Sequence, residues 1–191
     1  ECSSAASDVY KRQVQIPLAE TAGRLTINNT GSTPLYARII QRGLPEVGKD
    51  EASADGLEMT VTYRDLNDKP IDPLTLAQGT DFEAVITVRN PTDRRLDELA
   101  LTQIVPSGWE IHSESSGIGE DFDYREVRDD RVYTYFDLDR SESVSFTVSL
   151  HASYQGEYYL PPVHVEAMYD PTIHAREMGQ WITVVEEAPE G

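Results

Sequence analysis

Ser143-Val144-Ser145-Phe146-Thr147-Val148-Ser149-Leu150 alternates polar and apolar residues without a break. Successive side chains of a strand point to opposite faces, so Val144, Phe146, Val148 and Leu150 share one face and the four hydroxyls share the other. That is a half-buried strand. The same period of two recurs upstream: Leu57, Met59, Val61 and Tyr63 alternate with Glu58, Thr60, Thr62 and Arg64, and Phe82, Ala84, Ile86 and Val88 alternate with Glu83, Val85, Thr87 and Arg89. Leu99 and Leu101 open another strand, residues 132–138 give a further one, residues 158–169 a long strand or a split pair, and residues 180–185 a last one. No stretch shows a convincing amphipathic helical period.

Turn chemistry separates these runs at Asn67-Asp68-Lys69-Pro70, Gln78-Gly79-Thr80-Asp81, Asn90-Pro91-Thr92-Asp93, Pro106-Ser107-Gly108 and Asp170-Pro171. Each cluster supplies a fixed φ or tolerance of the left-handed region where the chain must reverse. Short strands, regularly broken and without intervening helices, predict an all-β fold, an antiparallel two-sheet sandwich. Residues 56–186 hold that pattern.

The ends read differently. Ser3 to Gln13, S-S-A-A-S-D-V-Y-K-R-Q, is what a common sequencing-library transposon adapter encodes in frame, so residues 1–13 are set aside as a non-native scar and the rest is expected to be a piece of a longer reading frame. Residues 14–44 contain two or three short strand-like runs, at 14–17, 24–29 and 35–41, too few to close a core, and are expected to be the tail of a preceding domain. The polar, aperiodic residues 45–55 read as a linker, and residues 187–191 as an acidic tail.

The net charge of the chain is −18. Such a surplus repels nucleic acid and anionic lipid, so neither is an expected partner. No apolar run approaches the roughly 20 residues that span a bilayer as a helix, so direct membrane insertion is not expected of this fragment. The only cysteine, Cys2, lies within the scar, which leaves the remainder without disulfides or thiolate ligands.

The residues that could carry chemistry assemble no catalytic set. His112, His151, His164 and His174 lack H-E-x-x-H spacing; His164 and Glu166 share a strand face, and His174 could approach them only if the chain after Asp170 folds back. The acidic run Glu120, Asp121, Asp123, Glu126, Asp129 and Asp130 lacks the glycine of an EF-hand loop and reads as a charged edge or loop, with Arg125, Arg128 and Arg131 pairing locally. Ser107 stands in P-S-G-W, without a nucleophile elbow, and reads as a turn residue before a buried Trp109. Gly117 and Gly119 form no phosphate loop. Neither enzyme activity nor a cofactor or metal is expected.

Tyr133, Tyr135, Tyr154, Tyr158, Tyr159 and Tyr169, with Met168 and Trp181, form the remaining aromatic group, most of it expected at the rim of the core. Met168 and Tyr169 are set apart because they end a strand at Asp170-Pro171-Thr172, where paired side chains can project towards a neighbour.

Several longer blocks carry a resemblance: L-Y-A-R-I-I-Q-R-G-L-P at 35–45, G-L-E-M-T-V-T-Y-R-D at 56–65, L-A-Q-G-T-D-F at 76–82, L-A-L-T-Q-I-V-P-S-G-W-E-I at 99–111, R-D-D-R-V-Y-T-Y-F-D-L at 128–138 and Y-Y-L-P-P-V-H-V-E-A-M-Y-D-P-T-I-H-A-R-E-M-G-Q-W at 158–181. In this order and spacing they resemble the C-terminal macroglobulin-like domain of bacterial alpha-2-macroglobulins. The resemblance implies a macroglobulin or fibronectin-III-like sandwich within a large periplasmic protease trap, membrane-anchored through its N-terminus as a lipoprotein. It implies target proteases as partners of the parent, and thioester and macroglobulin-like domains as neighbours of this one. It further implies that Met168 and Tyr169, and less strongly Tyr159, shield a cysteine-glutamine thioester held in another domain. A different class of protein also fits the pattern: a stand-alone immunoglobulin-like module of a surface protein, binding protein or carbohydrate through its tyrosines.

Overall fold

The structure, a computed structural model, describes residues 26–38, 48, 51–112, 117, 119 and 121–186. The chain divides into two units, Glu1–Arg42 and Gly43–Gly191. In the first unit, residues 26–38 are exposed and irregular, so the strand readings at 24–29 and 35–41 are not seen over their described parts. A strand needs a neighbour for its backbone groups, and none of the described strands pairs with these residues. The scar, the run at 14–17, the tail and linker residues 45–47 and 49–50 lie outside the described residues.

The second unit contains thirteen strands among its described residues and no helix. Four form one antiparallel sheet in the order β2 (Glu58–Asp65), β4 (Asp81–Arg89), β9 (Ser143–Ala152) and β6 (Trp109–Ile111). Six form another in the order β1 (Ser53–Asp55), β12 (Asp170–Arg176), β11 (His164–Ala167), β5 (Leu96–Ile104), β8 (Arg131–Leu138) and β7 (Tyr124–Val127). The third sheet comprises β10 (Gly156–Leu160), β13 (Gln180–Val185) and β3 (Thr75–Ala77), with β13 and β3 parallel.

The alternation in the sequence decides which faces meet. On β4, Phe82, Ala84, Ile86 and Val88 all point inward; on β9, Phe146, Val148 and Leu150 do the same from the facing register. Towards one end this layer meets the six-stranded sheet, burying Ile86, Val88 and Phe146 with Leu99, Leu101, Phe136, Leu138, Val165 and Ala175. Towards the other it meets the three-stranded sheet, burying Phe82, Val148 and Leu150 with Trp109, Leu160, Ile182 and Val184. The expected two-layer sandwich therefore has one layer made of two hydrogen-bonded sheets. Each fully buried large aliphatic or phenyl side chain contributes roughly 1.5–3 kcal/mol. Trp109 is 3% exposed and meets Phe82 edge to face at 4.9 Å. Gly108 before it admits the Tyr158 ring, which a Cβ at that position would meet at 2.3 Å.

Three boundaries move. The last residues of the expected linker, Ser53–Asp55, form the edge strand β1 against β12. Residues 158–169 are a split pair whose halves lie in different sheets. Asp170-Pro171 opens β12 instead of making the reversal, because the turn sits one step earlier, at Met168-Tyr169.

Candidate functional site

The reversal between β11 and β12 leaves only Met168 and Tyr169 at its tip, between the paired Ala167 and Asp170. Side chains in so short a turn have nothing beneath them: Met168 is 49% exposed and Tyr169 84%. The backbone around them is fixed. The Met168 N–H donates to the Glu98 carbonyl at 2.9 Å, and the Glu98 N–H donates to Asp137 Oδ1 at 2.9 Å. Glu98 has φ of 56°, at a bulge where the β5–β8 register slips between Leu96 and Leu99. A left-handed glutamate costs on the order of 1 kcal/mol, which the bulge and its two hydrogen bonds must offset.

On the far side, Asp170 accepts from both the N–H and the hydroxyl of Thr172. The Thr172 hydroxyl, then its N–H, hold the Asp170 carboxyl below the usual carboxylate range. Register shifts again between Glu166 and Ala167, so Pro171 falls in the looped-out part of β12, where its missing N–H costs no ladder bond. The outcome is an apolar sulfur chain and a flat phenol on a braced reversal. Such a tip contains no nucleophile or metal ligand set, and is suited to covering a surface and excluding water from it.

Tyr159 does not join this pair. It lies on β10, in the three-stranded sheet, with its ring 5.6 Å from that of its cross-strand partner Trp181. β11 separates it from the turn along the chain. The other tyrosines are dispersed too. Tyr133 and Tyr135 face outward from β8, Tyr135 stacking on Tyr124 at 6.4 Å; Tyr158 packs on Gly108; Tyr154 donates to Glu110 from an exposed position.

The chain after Asp170 does fold back, and β12 sets His174 directly opposite Glu166, with His164 two residues along β11. His164 Nε2 is 3.8 Å from Glu166 Oε2, but His174 turns away, to Ser53 Oγ and the Thr172 carbonyl at 3.2 Å each. Burial pulls the His164 pKa down. Among the described residues no group of three or more His, Cys, Asp or Glu is placed to hold a metal ion.

The acidic run is divided among the segment before β7, with Asp121 and Asp123, the strand β7 itself, with Glu126, and the loop after it, with Asp129 and Asp130. Glu126 pairs with Arg128 at 2.7 Å and Asp130 with Arg131 at 2.6 Å, as expected, while Glu120 lies outside the described residues. Arg125 differs from Arg128 and Arg131 in its burial. It is buried, its guanidinium 4.5 Å from the Phe122 ring centroid, with Nε donating to Thr134 Oγ1. Strand parity explains this: on β7 Arg125 points inward where Tyr124 and Glu126 point out.

Sequence reasoning missed Glu98 and Asp137, the supports of the turn. The signal was available, because Leu96-Asp97-Glu98-Leu99 places two polar residues where a period of two allows one, which marks a bulge.

The family model described as the bacterial alpha-2-macroglobulin MG10 domain matches residues 56–172. An alpha-2-macroglobulin of Pasteurella multocida is 28% identical over 164 residues, covering 83% of this chain and 8% of that protein. Native Escherichia coli alpha-2-macroglobulin, solved from domain MG7 to its C-terminus, superposes with a TM-score of 0.64 at 18% identity, over 72% of this chain and 24% of that one. Salmonella alpha-2-macroglobulin reacted with methylamine superposes with a TM-score of 0.61 at 21% identity, over 70% of this chain and 10% of that one. The chain thus spans under a tenth of the length of the Pasteurella relative.

Proposed function

The chain belongs to the bacterial alpha-2-macroglobulin family, with an MG10 domain over residues 56–172, and on that premise we propose that it serves a much longer protease-trapping inhibitor by packing against its other domains and covering a thioester held in one of them. The carrying observation is the exposed pair Met168 and Tyr169 on a two-residue turn whose backbone is braced on both sides. A thioester is destroyed by water and amines unless it is covered. Two side chains supply that cover when they are apolar or aromatic, held by the backbone, and left free by their own domain. Methylamine, with which the Salmonella chain is described as reacted, is the reagent such cover would have to exclude. In this reading the parent, anchored in the periplasm, captures proteases, and the domain itself performs no chemistry.

The test begins with the complete reading frame recovered from the source DNA. The whole protein, cut by a protease, is expected to incorporate methylamine or capture the protease covalently. A complete frame without a cysteine-glutamine thioester motif, or one that captures nothing, overturns the covering role.

A further inference from the structure

Arg95, the residue before β5, places each nitrogen of its guanidinium on a different carboxylate: Nε on Asp97 Oδ1 and Nη2 on Asp137 Oδ2 at 2.5 Å each, and Nη1 on Asp139 Oδ1 at 2.9 Å. Register brings the three acids together. Leu96 stands opposite Leu138, so the residues on either side of that buried pair, Arg95 and Asp97 on one strand and Asp137 and Asp139 on the other, share the outer face. Like charges gathered on neighbouring strands repel, and the arrangement needs a cation among them. Asp121, Asp123 and Glu142 line the same hollow, of which Arg95 is the only basic lining residue among the described residues.

Of the three carboxylates that Arg95 holds, Asp137 alone also holds a backbone group. Its side chain is 31% exposed, against 62% for Asp97 and 67% for Asp139. While Oδ2 takes Arg95, Oδ1 accepts the Glu98 N–H, and Glu98, at φ of 56°, accepts the Met168 N–H. The other end of the linkage is buried. Asn90 Nδ2 donates to the carbonyls of Arg94 and Asp139, which pins the backbone beside Arg95 and at one of its partners. Contacts therefore run from Asn90 in the core, through Arg95, Asp137 and Glu98, to the exposed turn.

We infer that Arg95 is the positioning residue of the Met168-Tyr169 turn: by fixing Asp137 against the repulsion of Asp97 and Asp139, it holds the Glu98 bulge to which the turn is hydrogen-bonded. A lone exposed ion pair contributes little, whereas a rigid planar fork engaged by three carboxylates forms a network of set geometry. The inference rests on the covering role for the use to which the turn is put. The hold itself belongs to this domain and is tested without a thioester.

The test follows amide hydrogen exchange in the 191-residue chain, which reports local opening bond by bond. Arg95→Gln is expected to speed exchange of the Met168 amide by about fivefold, the upper end of what an exposed ion pair contributes. The Gln78 amide, which donates to the Val185 carbonyl beside the three-stranded sheet, is expected to keep its rate. Asp137→Asn retains an oxygen for the Glu98 N–H but gives up the charge, and is expected to speed Met168 exchange as Arg95→Gln does; it decides the matter should Arg95→Gln fail to fold. Because Arg95 acts through Asp137, the double variant is expected to exchange no faster at Met168 than the faster single one. An unchanged Met168 rate in the folded single variants, equal acceleration at Met168 and Gln78, or effects that multiply in the double variant would each overturn the proposal. A parent without a thioester would overturn the covering role and leave these rates as they are.

Discussion

Asn90 shows what single residues contribute. Fully buried at the end of β4, it donates from Nδ2 to the carbonyls of Arg94 at 2.7 Å and Asp139 at 2.9 Å, and accepts from the Thr92 N–H at 3.0 Å through Oδ1. It ties the turn between β4 and β5 to the end of β8. Asn90→Ala strands buried backbone groups, and thermal or urea unfolding should show a loss of about 2–3 kcal/mol; a loss below about 0.5 kcal/mol would contradict this account. In the sequence Asn90 read only as a turn residue beside Pro91, because a side chain that spans two connections is invisible to local pattern. Asp170 was legible as a turn former but not as a brace. Its carboxyl is held down by Thr172, so the bracing is complete above the ordinary aspartate range near pH 4 and is lost as pH falls through the lowered folded value. Thr172→Val removes the strongest donor. The Asp170 carboxyl midpoint, followed by carbon-13 chemical shift, should then rise towards the ordinary value.

Among elements, those with long unbroken alternation were legible in the sequence. β9, β4 and β8 alternate over eight or more residues, and their inward sets are the ones buried. β12 was not, since Asp170-Pro171 imitates a turn and its strand character comes from neighbours on both sides, β1 and β11. β7 was also missed: four residues inside a charged run carry no recognisable period, and one of them is a buried arginine. β7 is the last strand of its sheet among the described residues, its Arg125 backbone bridged to Gly117, with Glu126 and Arg128 on its outer side. Charged side chains on such an edge discourage addition of another strand. Glu126→Thr with Arg128→Thr is therefore expected to raise self-association, seen by sedimentation as dimers and larger species at concentrations where the parent sequence stays monomeric. An unchanged distribution would mean that Gly117, bridged to Arg125, protects the edge by itself.

At the scale of the molecule, the sandwich presents its proposed working surface at one reversal. The all-β class followed from period two and turn chemistry; the division of one layer into two sheets did not, because it depends on which strands hydrogen-bond across the gap between β10 and β11. The two residues singled out by type, Met168 and Tyr169, sit at that reversal. Their supports, Glu98 and Asp137, come from β5 and β8, far away in sequence. The most direct test of the covering role is the first-order rate at which the intact parent loses its thioester to methylamine, without protease, with Tyr169 and with Tyr169→Ala. Loss in Tyr169→Ala at least tenfold faster, with the melting temperature unchanged because the side chain supports nothing within its own domain, is the result this account predicts. Equal rates in the two proteins would contradict it.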